Sequence, residues 1–333
     1  MFTLDQVEAA HRLVGEAVPP TPSHGWPLLG ERLGAEVFVK HENHTPTGAF
    51  KVRGGLTYLD WLKRERPQVA GVVSATRGNH GQSIAFAARR LGLGATIVVP
   101  RGNSTEKNAA MRAFGAELLV RGGDFQEARE EAERIAVERG HEMVPSYHEH
   151  LVLGVSTYAL EMLSKHRDLD VLYVPIGLGS GICGCILVRD LLGLKIEIVG
   201  VQAERAPAYA LSFEAGRPIS TNASDTFADG MATRVPDAEA LKVILRGAAR
   251  IVQIGEEEIA EAMRIYWTDT HNLAEGAGAA ALAAALKEGE RNRGRRVGLV
   301  LSGGNIDLDL FRRHVFALAG NHDVQPEAVE RRA

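Results

Sequence analysis

The chain has 333 residues and a mass of 35.9 kDa, and its 45% apolar content can fill the cores of two ordinary lobes, which excludes a disordered or fibrous protein. Its 38 basic and 42 acidic side chains leave a formal charge of -4, so no nucleic-acid or membrane-surface footprint is expected; no apolar run reaches the ~20 residues of a membrane span. Glycine stands out, 36 against 13 prolines, and the tight turns and close backbone approaches it permits need an explanation.

The first element reads as a helix. Thr3 and Gln6 have capping-box spacing, and Val7, Ala10, Leu13, Val14 and Ala17 share one face up to Pro19-Pro20. Short apolar runs bounded by glycine then predict strands at Glu36–Lys40, Gly71–Ser74, Ala95–Val99, Glu117–Val120, Val171–Pro175, Glu197–Val201, Ile251–Ile254 and Val297–Leu301. Helical periodicity fills the gaps near 51–65, 80–91, 105–114, 124–139, 151–165, 180–192, 255–269 and 275–287. Strand and helix in alternation predict an α/β protein with parallel sheets covered on both faces, and such sheets collect their chemistry in the loops after the strands. Residues 216–248, with Pro218, Gly230, Pro236 and little periodicity, read as a long surface connection. The end of the chain, EAVERRA, predicts a frayed tail.

Four loops carry residue types suited to chemistry. In PTGAFKVRG (46–54), Phe50 and Lys51 follow a glycine turn at the start of a helix; a buried amine there would be nucleophilic near neutral pH, whereas a lone lysine is ordinarily a solvated one. In SATRGNHGQ (74–82), Asn79, His80 and the amides around Gly78 form an anion-binding rim at a helix start, with His80 able to titrate near neutrality and Arg77 suited to a carboxylate; the plain alternative is an Asn/His cap on a turn. In PIGLGSGICG (175–184), the amides of Gly177, Gly179, Ser180 and Gly181 and the Ser180 hydroxyl can cradle a phosphate at a helix start. Gly179, Gly181 and Gly184 also spell G-x-G-x-x-G, with Glu204 near the spacing of a ribose-binding acid, which keeps a nicotinamide oxidoreductase open. In LSGGNID (301–307), Ser302 offers a hydroxyl at the end of a buried strand; by itself it is equally an ordinary strand-to-helix turn.

Taken together these loops resemble the fold type II pyridoxal-phosphate enzymes, in particular the threonine/serine dehydratases and serine racemases. The likeness runs in order through Pro19-Pro20-Thr21-Pro22, Gly48-Ala49-Phe50-Lys51, Gly78-Asn79-His80, the phosphate loop, Ala228-Asp229-Gly230, Glu275-Gly276-Ala277-Gly278 and Ser302-Gly303-Gly304-Asn305. It implies the two-lobed parallel-sheet fold of the tryptophan synthase β-subunit type. The large cofactor-binding domain would comprise residues 1–70 plus 147–320, the small domain 71–146, and the tail 321–333. Pyridoxal 5'-phosphate is the implied cofactor. Lys51 matches the lysine that holds it as a Schiff base and, once displaced, removes the substrate's Cα proton. Phe50 matches the residue stacked on the ring, and Asn79 the one bonded to its phenolic oxygen. Gly177, Leu178, Gly179, Ser180 and Gly181 match the phosphate cradle, and Ser302 the partner of the ring nitrogen. Thr76, Arg77, Asn79 and His80 would hold the substrate carboxylate. The implied reaction is dehydration and deamination of a β-hydroxy amino acid, of threonine or serine type or else phenylserine or hydroxyaspartate, to a 2-oxo acid and ammonia. A small amino-acid substrate, no nucleic-acid or membrane partner, and a homodimer are what the resemblance leads one to expect.

The chain departs from that pattern at several positions. Arg77 stands where a small residue is usual, and where the racemases use serine as a second acid/base; a guanidinium cannot serve as base, so weak or absent racemisation is expected. Gln202 and Ala208, in VQAERAPAY, replace the acidic ligands of a divalent cation, so no metal is expected. Leu178 and Ser180 interrupt the usual glycines, Leu178 being expected to face the core, and Ala49 replaces a serine. The chain ends soon after Ser302, which predicts no regulatory domain. Cys183 and Cys185 are too close for an ordinary disulfide and too few for structural zinc, and they are expected to pack. With an acidic, periodic N-terminus unlike a signal peptide, they predict a cytoplasmic protein. His41 and His44, beside Glu42, read as structural, and His148-Glu149-His150 as a surface loop.

Overall fold

The computed structural model describes residues 2–222 and 224–316. Its strands are β1 (Ser23–Gly25), β2 (Glu36–His41), β3 (Gly71–Ala75), β4 (Gly94–Val99), β5 (Glu117–Val120), β6 (Glu142–Met143), β7 (Val171–Pro175), β8 (Glu197–Ala203), β9 (Arg250–Ile254) and β10 (Arg296–Leu301). Its helices are α1 (Leu4–Gly15), α2 (Pro27–Leu33), α3 (Lys51–Glu65), α4 (Asn79–Arg90), α5 (Thr105–Ala113), α6 (Phe125–Arg139) and α7 (Glu149–Lys165). They continue with α8 (Ser180–Leu191), α9 (Ala208–Ala215), α10 (Ala238–Gly247), α11 (Glu256–Thr270), α12 (Gly276–Lys287), α13 (Gly289–Asn292) and α14 (Leu308–Phe316). Every strand and helix expected from periodicity forms, with ends moved by one or two residues.

The strands make two sheets. One has six strands in the order β1-β2-β10-β7-β8-β9, parallel except for the antiparallel edge β1. The other has four parallel strands in the order β5-β4-β3-β6. In each, the strands that pair parallel are separated in sequence by helices, as right-handed crossovers require. The apolar runs at Val171–Val174 and Leu299–Leu301 are buried throughout, as expected for strands covered on both faces.

Between the sheets stands α3. Its Val52, Leu56, Leu59 and Leu62 share a core with Val72, Ile84 and Ile97 of the four-stranded sheet and its helix α4. On its other side it meets α7 at glycine contacts: a Cβ on Gly54 would lie 2.8 Å from the Leu151 carbonyl oxygen, and one on Gly154 would lie 2.1 Å from that of Arg53. At these two glycines backbone meets backbone.

Several expectations need correction. The stretch 216–248 is not a bare surface connection: it holds a short 3-10 turn at Asp229–Met231 and the helix α10, whose Asp237 side chain caps it and whose Leu241 and Ile244 pack into the core with α8. Proline-poor amphipathy over only ten residues, following Pro236, hid that helix from a longer window. His148-Glu149-His150 is the start of α7 rather than a loop, with His148 as its cap and His150 stacked on Trp61 at 4.6 Å. Leu178 is half-buried and belongs to none of the core clusters. The strands β1 and β6 and the helices α2, α9, α13 and α14 were not anticipated, the two strands because two or three residues carry no period. The expected tail, 321–333, lies outside the described residues.

The α3–α7 contact has a measurable consequence. Alanine in place of a mid-helix glycine ordinarily gains about 1 kcal/mol, but at Gly154 the new methyl has no room. Gly154→Ala is expected to lose about 1–3 kcal/mol in urea unfolding, whereas Gly15→Ala, with nothing within 4 Å of the new Cβ, is expected to lose nothing.

Candidate active site

The four loops of interest converge at the carboxyl ends of the strands. Loop 48–50 lies against loop 302–304 like a pair of strands: the Phe50 amide donates to the Ser302 carbonyl (3.0 Å), the Gly304 amide donates to the Gly48 carbonyl (2.9 Å), and Ala49 bridges to Gly303. Glycine is required at Gly48 twice over, because φ is +68° and a Cβ would sit 2.5 Å from Asn305 Oδ1. Lys51 is thereby fixed at the first residue of α3, and its carbonyl accepts from Ser83 Oγ of α4 at 2.6 Å.

Lys51 projects toward the phosphate-type loop. Its Nζ lies 3.3 Å from Ser180 Oγ and 4.8 Å from the centroid of the Phe50 ring. No ion pair holds it among the described residues, and the surrounding protein lowers its pKa to about 8 through loss of solvation, with Glu275 opposing. Lysine in that state presents a substantial neutral fraction near physiological pH. Phe50 is backed edge-on by Tyr158 (5.9 Å, 82°), which fixes the ring as a wall.

The loop at 177–181 has the shape of an anion cradle. Gly179 takes φ +98°, and a Cβ at Gly177 would lie 2.3 Å from the Gly230 carbonyl oxygen. Ser180 is the first residue of α8 and is buried, so the first-turn amides of a twelve-residue helix face the loop without helical acceptors. Tyr209 donates to the Leu178 carbonyl at 2.8 Å, which gives Leu178 a structural part through its backbone.

On the opposite side, Asn79 opens α4. Its Nδ2 donates to Glu275 Oε1 at 2.6 Å, and its Oδ1 accepts from Asn305 Nδ2 at 2.8 Å, so one amide hydrogen of Asn79 remains for a ligand. Thr76 is buried and its hydroxyl accepts from the Gly78 amide at 3.0 Å. His80 has its Nε2 sealed from solvent with no partner, and burial drops its pKa to about 3, with Lys51 adding to the effect. The expectation that His80 titrates near neutrality is therefore corrected, because sequence could not show how deeply the imidazole is enclosed. Arg77 is exposed and makes no ion pair or hydrogen bond among the described residues, so the alternative of a structural salt bridge is not what the fold uses. Ser302 is buried and donates to the Ala277 carbonyl at 3.3 Å, a long bond that a better acceptor can displace.

Sequence reasoning missed a second layer. Arg53, two residues beyond Lys51, is fully buried and forms two-pronged bonds to Glu42 (2.7 and 3.0 Å) and to Glu161 (2.7 and 3.0 Å). Lys40 completes the group through Glu161 and the Thr21 carbonyl. A usable signal was present: Arg53 sits on the apolar face of α3 between Val52 and Leu56, where an unpaired guanidinium would not be tolerated. Lys107, bonded to Asp229 and Glu275, had no such signal. The other candidates behave as packing. Burial pushes the Cys183 and Cys185 thiols up to about 12, and His41 accepts from Trp26 Nε1 at 3.0 Å. Among the described residues no group of three or more His, Cys, Asp or Glu side chains is placed to hold a metal ion, and no helix is long and apolar enough to cross a membrane.

Residues 14–303 match the profile of the family described as pyridoxal-phosphate dependent enzyme. The chain belongs to that family. It is 34% identical to the L-threonine ammonia-lyase of Thermotoga maritima over 94% of this chain and 78% of that one. It is 32% identical to the L-threo-3-hydroxyaspartate ammonia-lyase of Saccharomyces cerevisiae over 96% and 97%. The biosynthetic L-threonine dehydratase of Salmonella typhimurium is longer, and the chain spans 59% of its length. Among solved structures, maize serine racemase (TM-score 0.88, 25% identity, 95% of this chain and 98% of that one) and the processed threonine deaminase isoform 2 of Solanum lycopersicum (0.88, 27%, 95% and 93%) share the fold. The two parallel-sheet lobes are thus those of this family, and the enzyme is a pyridoxal-phosphate-dependent ammonia-lyase.

The residues present fit that cofactor. A half-buried amine with no ion pair among the described residues faces a glycine cradle whose walls a Cβ would fill, beside an aromatic wall and an orphaned imidazole nitrogen. In the cofactor-free protein, labelling of Lys51 by an amine-reactive carbonyl reagent is expected to rise with pH about a midpoint near 8, below that of an ordinary lysine at 10.5, because the neutral amine is the reactive form. Peptide mapping against pH checks this, with Lys51→Ala as the blank.

Proposed function

We propose that the enzyme removes water and ammonia from a β-hydroxy amino acid to give a 2-oxo acid, and that Lys51, Asn79, the 177–181 loop and Ser302 are its cofactor-binding residues. The observation that carries the assignment is the meeting of the Lys51 amine with Ser180 at the mouth of the cradle, 3.3 Å apart. The lobes are taken as 1–70 with 147–320 and as 71–146, a division supported by the strand membership of the two sheets.

In this reading Gly177, Leu178, Gly179, Ser180 and Gly181 hold the phosphate through backbone amides and the Ser180 hydroxyl, Phe50 stacks on the ring, and Asn79 uses its remaining amide hydrogen on the phenolic oxygen. Ser302 faces the ring nitrogen with a neutral hydroxyl, which does not force protonation as a carboxylate would. Bound there, the cofactor supplies an electron sink conjugated to the substrate's Cα and so acidifies its proton. Lys51, a free amine with a lowered pKa once substrate has displaced it, takes that proton. Ser180 is within hydrogen-bond reach of the resulting ammonium and keeps it aimed at the reacting carbons. The β-hydroxyl departs as water with the proton that Lys51 took from Cα, and tautomerisation and hydrolysis of the released enamine give the 2-oxo acid and ammonia.

Thr76, Arg77, Asn79 and His80 form the carboxylate loop. The unpaired guanidinium of Arg77 favours a substrate with a second carboxylate, of hydroxyaspartate type, over threonine and serine. Arg77 also argues against a racemase, because it cannot exchange a proton at working pH. The expected outcome is a yellow holoenzyme that releases 2-oxo acid, loses both properties in Lys51→Ala, and forms no D-serine from L-serine. Arg77→Ala is expected to lose about 10- to 100-fold in kcat/KM for threo-3-hydroxyaspartate and much less for threonine, which a screen with serine, threonine, hydroxyaspartate and phenylserine would reveal. Equal loss on all four would remove the dicarboxylate reading.

Cation dependence is a separate expectation. Gln202 Oε1 accepts the Ala210 amide at 2.8 Å within the first turn of α9, and its Nε2 is a buried donor that repels a cation where relatives of this group place acids. Activity is expected to be unchanged in chelator and after addition of magnesium or calcium. A cytoplasmic location is supported by the two free, buried thiols. A homodimer is proposed on the family resemblance, and light scattering would test it.

A further inference from the structure

One cross-lobe contact is unusual for its chemistry. Helix α5 lies between β4 and β5 of the four-stranded sheet, yet its first turn reaches the loops of the six-stranded one. Ser104 Oγ donates to Asp307, the Thr105 amide donates to Asp307 Oδ2 at 3.2 Å, and Glu106 accepts the Leu308 amide at 2.8 Å. Lys107, 6% exposed, donates to Asp229 at 2.7 Å and to Glu275 at 3.3 Å.

Lys107 also touches the carboxylate loop: its stem passes so close to Gly78 that a Cβ there would lie 2.3 Å from Lys107 Cδ. One side chain thus joins the 76–80 loop, the Asp229 turn and Glu275. The other oxygen of Glu275 takes the Asn79 amide, so the bonds run from Lys107 through Glu275 and Asn79 to Asn305 and the Thr47 carbonyl. An ionised Glu275 is the stronger acceptor for Asn79; burial raises the pKa of Glu275, and the Lys107 ammonium beside it opposes that rise.

We propose that Lys107 is a positioning residue for the elimination: when α5 docks on the six-stranded sheet, Lys107 sets the carboxylate loop and, through Glu275, aims the Asn79 amide at the cofactor. The proposal rests on the reading that Asn79 faces the cofactor, and its test separates the two.

Three holoenzymes are compared: wild type, Lys107→Met, which keeps the stem and removes the charge, and Lys107→Arg, which keeps the charge. Lys107→Met is expected to raise KM for the preferred hydroxy amino acid roughly tenfold, to displace the cofactor's visible absorption band, and to speed amide exchange roughly tenfold at 76–80 and 104–107. Lys107→Arg is expected to restore the band and part of the KM. A methionine variant that melts earlier but keeps the wild-type KM, band and exchange would show a merely structural lysine and overturn the proposal. If Lys107→Met does not fold, Asp229→Asn, which removes one partner at a half-buried position, is expected to move the same readouts in the same direction; unchanged readouts there also overturn it. A wild-type protein with no visible band would overturn the reading of the site instead, and exchange in the cofactor-free protein would then still decide whether Lys107 clasps the lobes.

Discussion

Lys51, the lysine proposed to be catalytic, depends on a guanidinium it never touches. Arg53 is fully buried, and its nitrogens are taken up by two carboxylates, Glu42 and Glu161, and by Thr157. A buried charge is tolerated only when paired in this manner, and removal of one partner from such a group typically costs about 3–5 kcal/mol. The pairing joins the end of β2, the start of α3 and the middle of α7. Because Arg53 and Lys51 share the first turn of α3, whatever fixes the one fixes the position from which the other reaches Ser180. With Lys40 opposing the second acid, the group is two cations against two anions, so it places no net charge behind the Lys51 amine.

Charge balance also separates the two lysines of the cleft. Lys51 and Lys107 are both enclosed, and enclosure by itself disfavours the ammonium of each. Lys51 has Ser180 and an aromatic ring for neighbours and no carboxylate within pairing distance, so its pKa falls to about 8. Lys107 has Glu275 and Asp229 in contact, and their attraction outweighs burial, so its pKa rises. One fold thereby keeps a reactive amine and a permanent cation on opposite sides of one loop, by deciding which of them meets acids.

The alternation of apolar runs and helical faces, with glycines at the strand ends, placed the two sheets and the four loops because each of these features is local in the chain. Lys51, Asn79, Ser180 and Ser302 could be singled out as candidates for the same reason: each sits in a short stretch whose neighbours are unusual. Lys107 was not, since TEKNAAMRA reads as a plain solvated helix and its partners Asp229 and Glu275 are 122 and 168 residues away. The helix at Ala238–Gly247 was hidden because its single amphipathic stretch is only ten residues long and follows Pro236, and His80's low pKa by the fact that enclosure is a property of the assembled lobes.

The placement of the glycines decides where the lobes can move. At α3 both contacts are backbone-tight, with Gly54 and Gly154 meeting α7, and with Gly55 so close to α4 that a Cβ would lie 2.9 Å from the Ser83 carbonyl oxygen. Neither contact can slide without steric conflict, and Ser83 ties the Lys51 carbonyl to α4 in addition. The far edge, at α5, is held by the side chains of Ser104, Glu106 and Lys107, whose hydrogen bonds and ion pairs can part and re-form without any backbone giving way. A rotation that opens the cleft therefore has its stiff side at α3 and its separable side at α5. Lys51 is coupled to α4 through its bond from Ser83 as well as through this tight packing, whereas Asn79 meets Glu275 only through side chains.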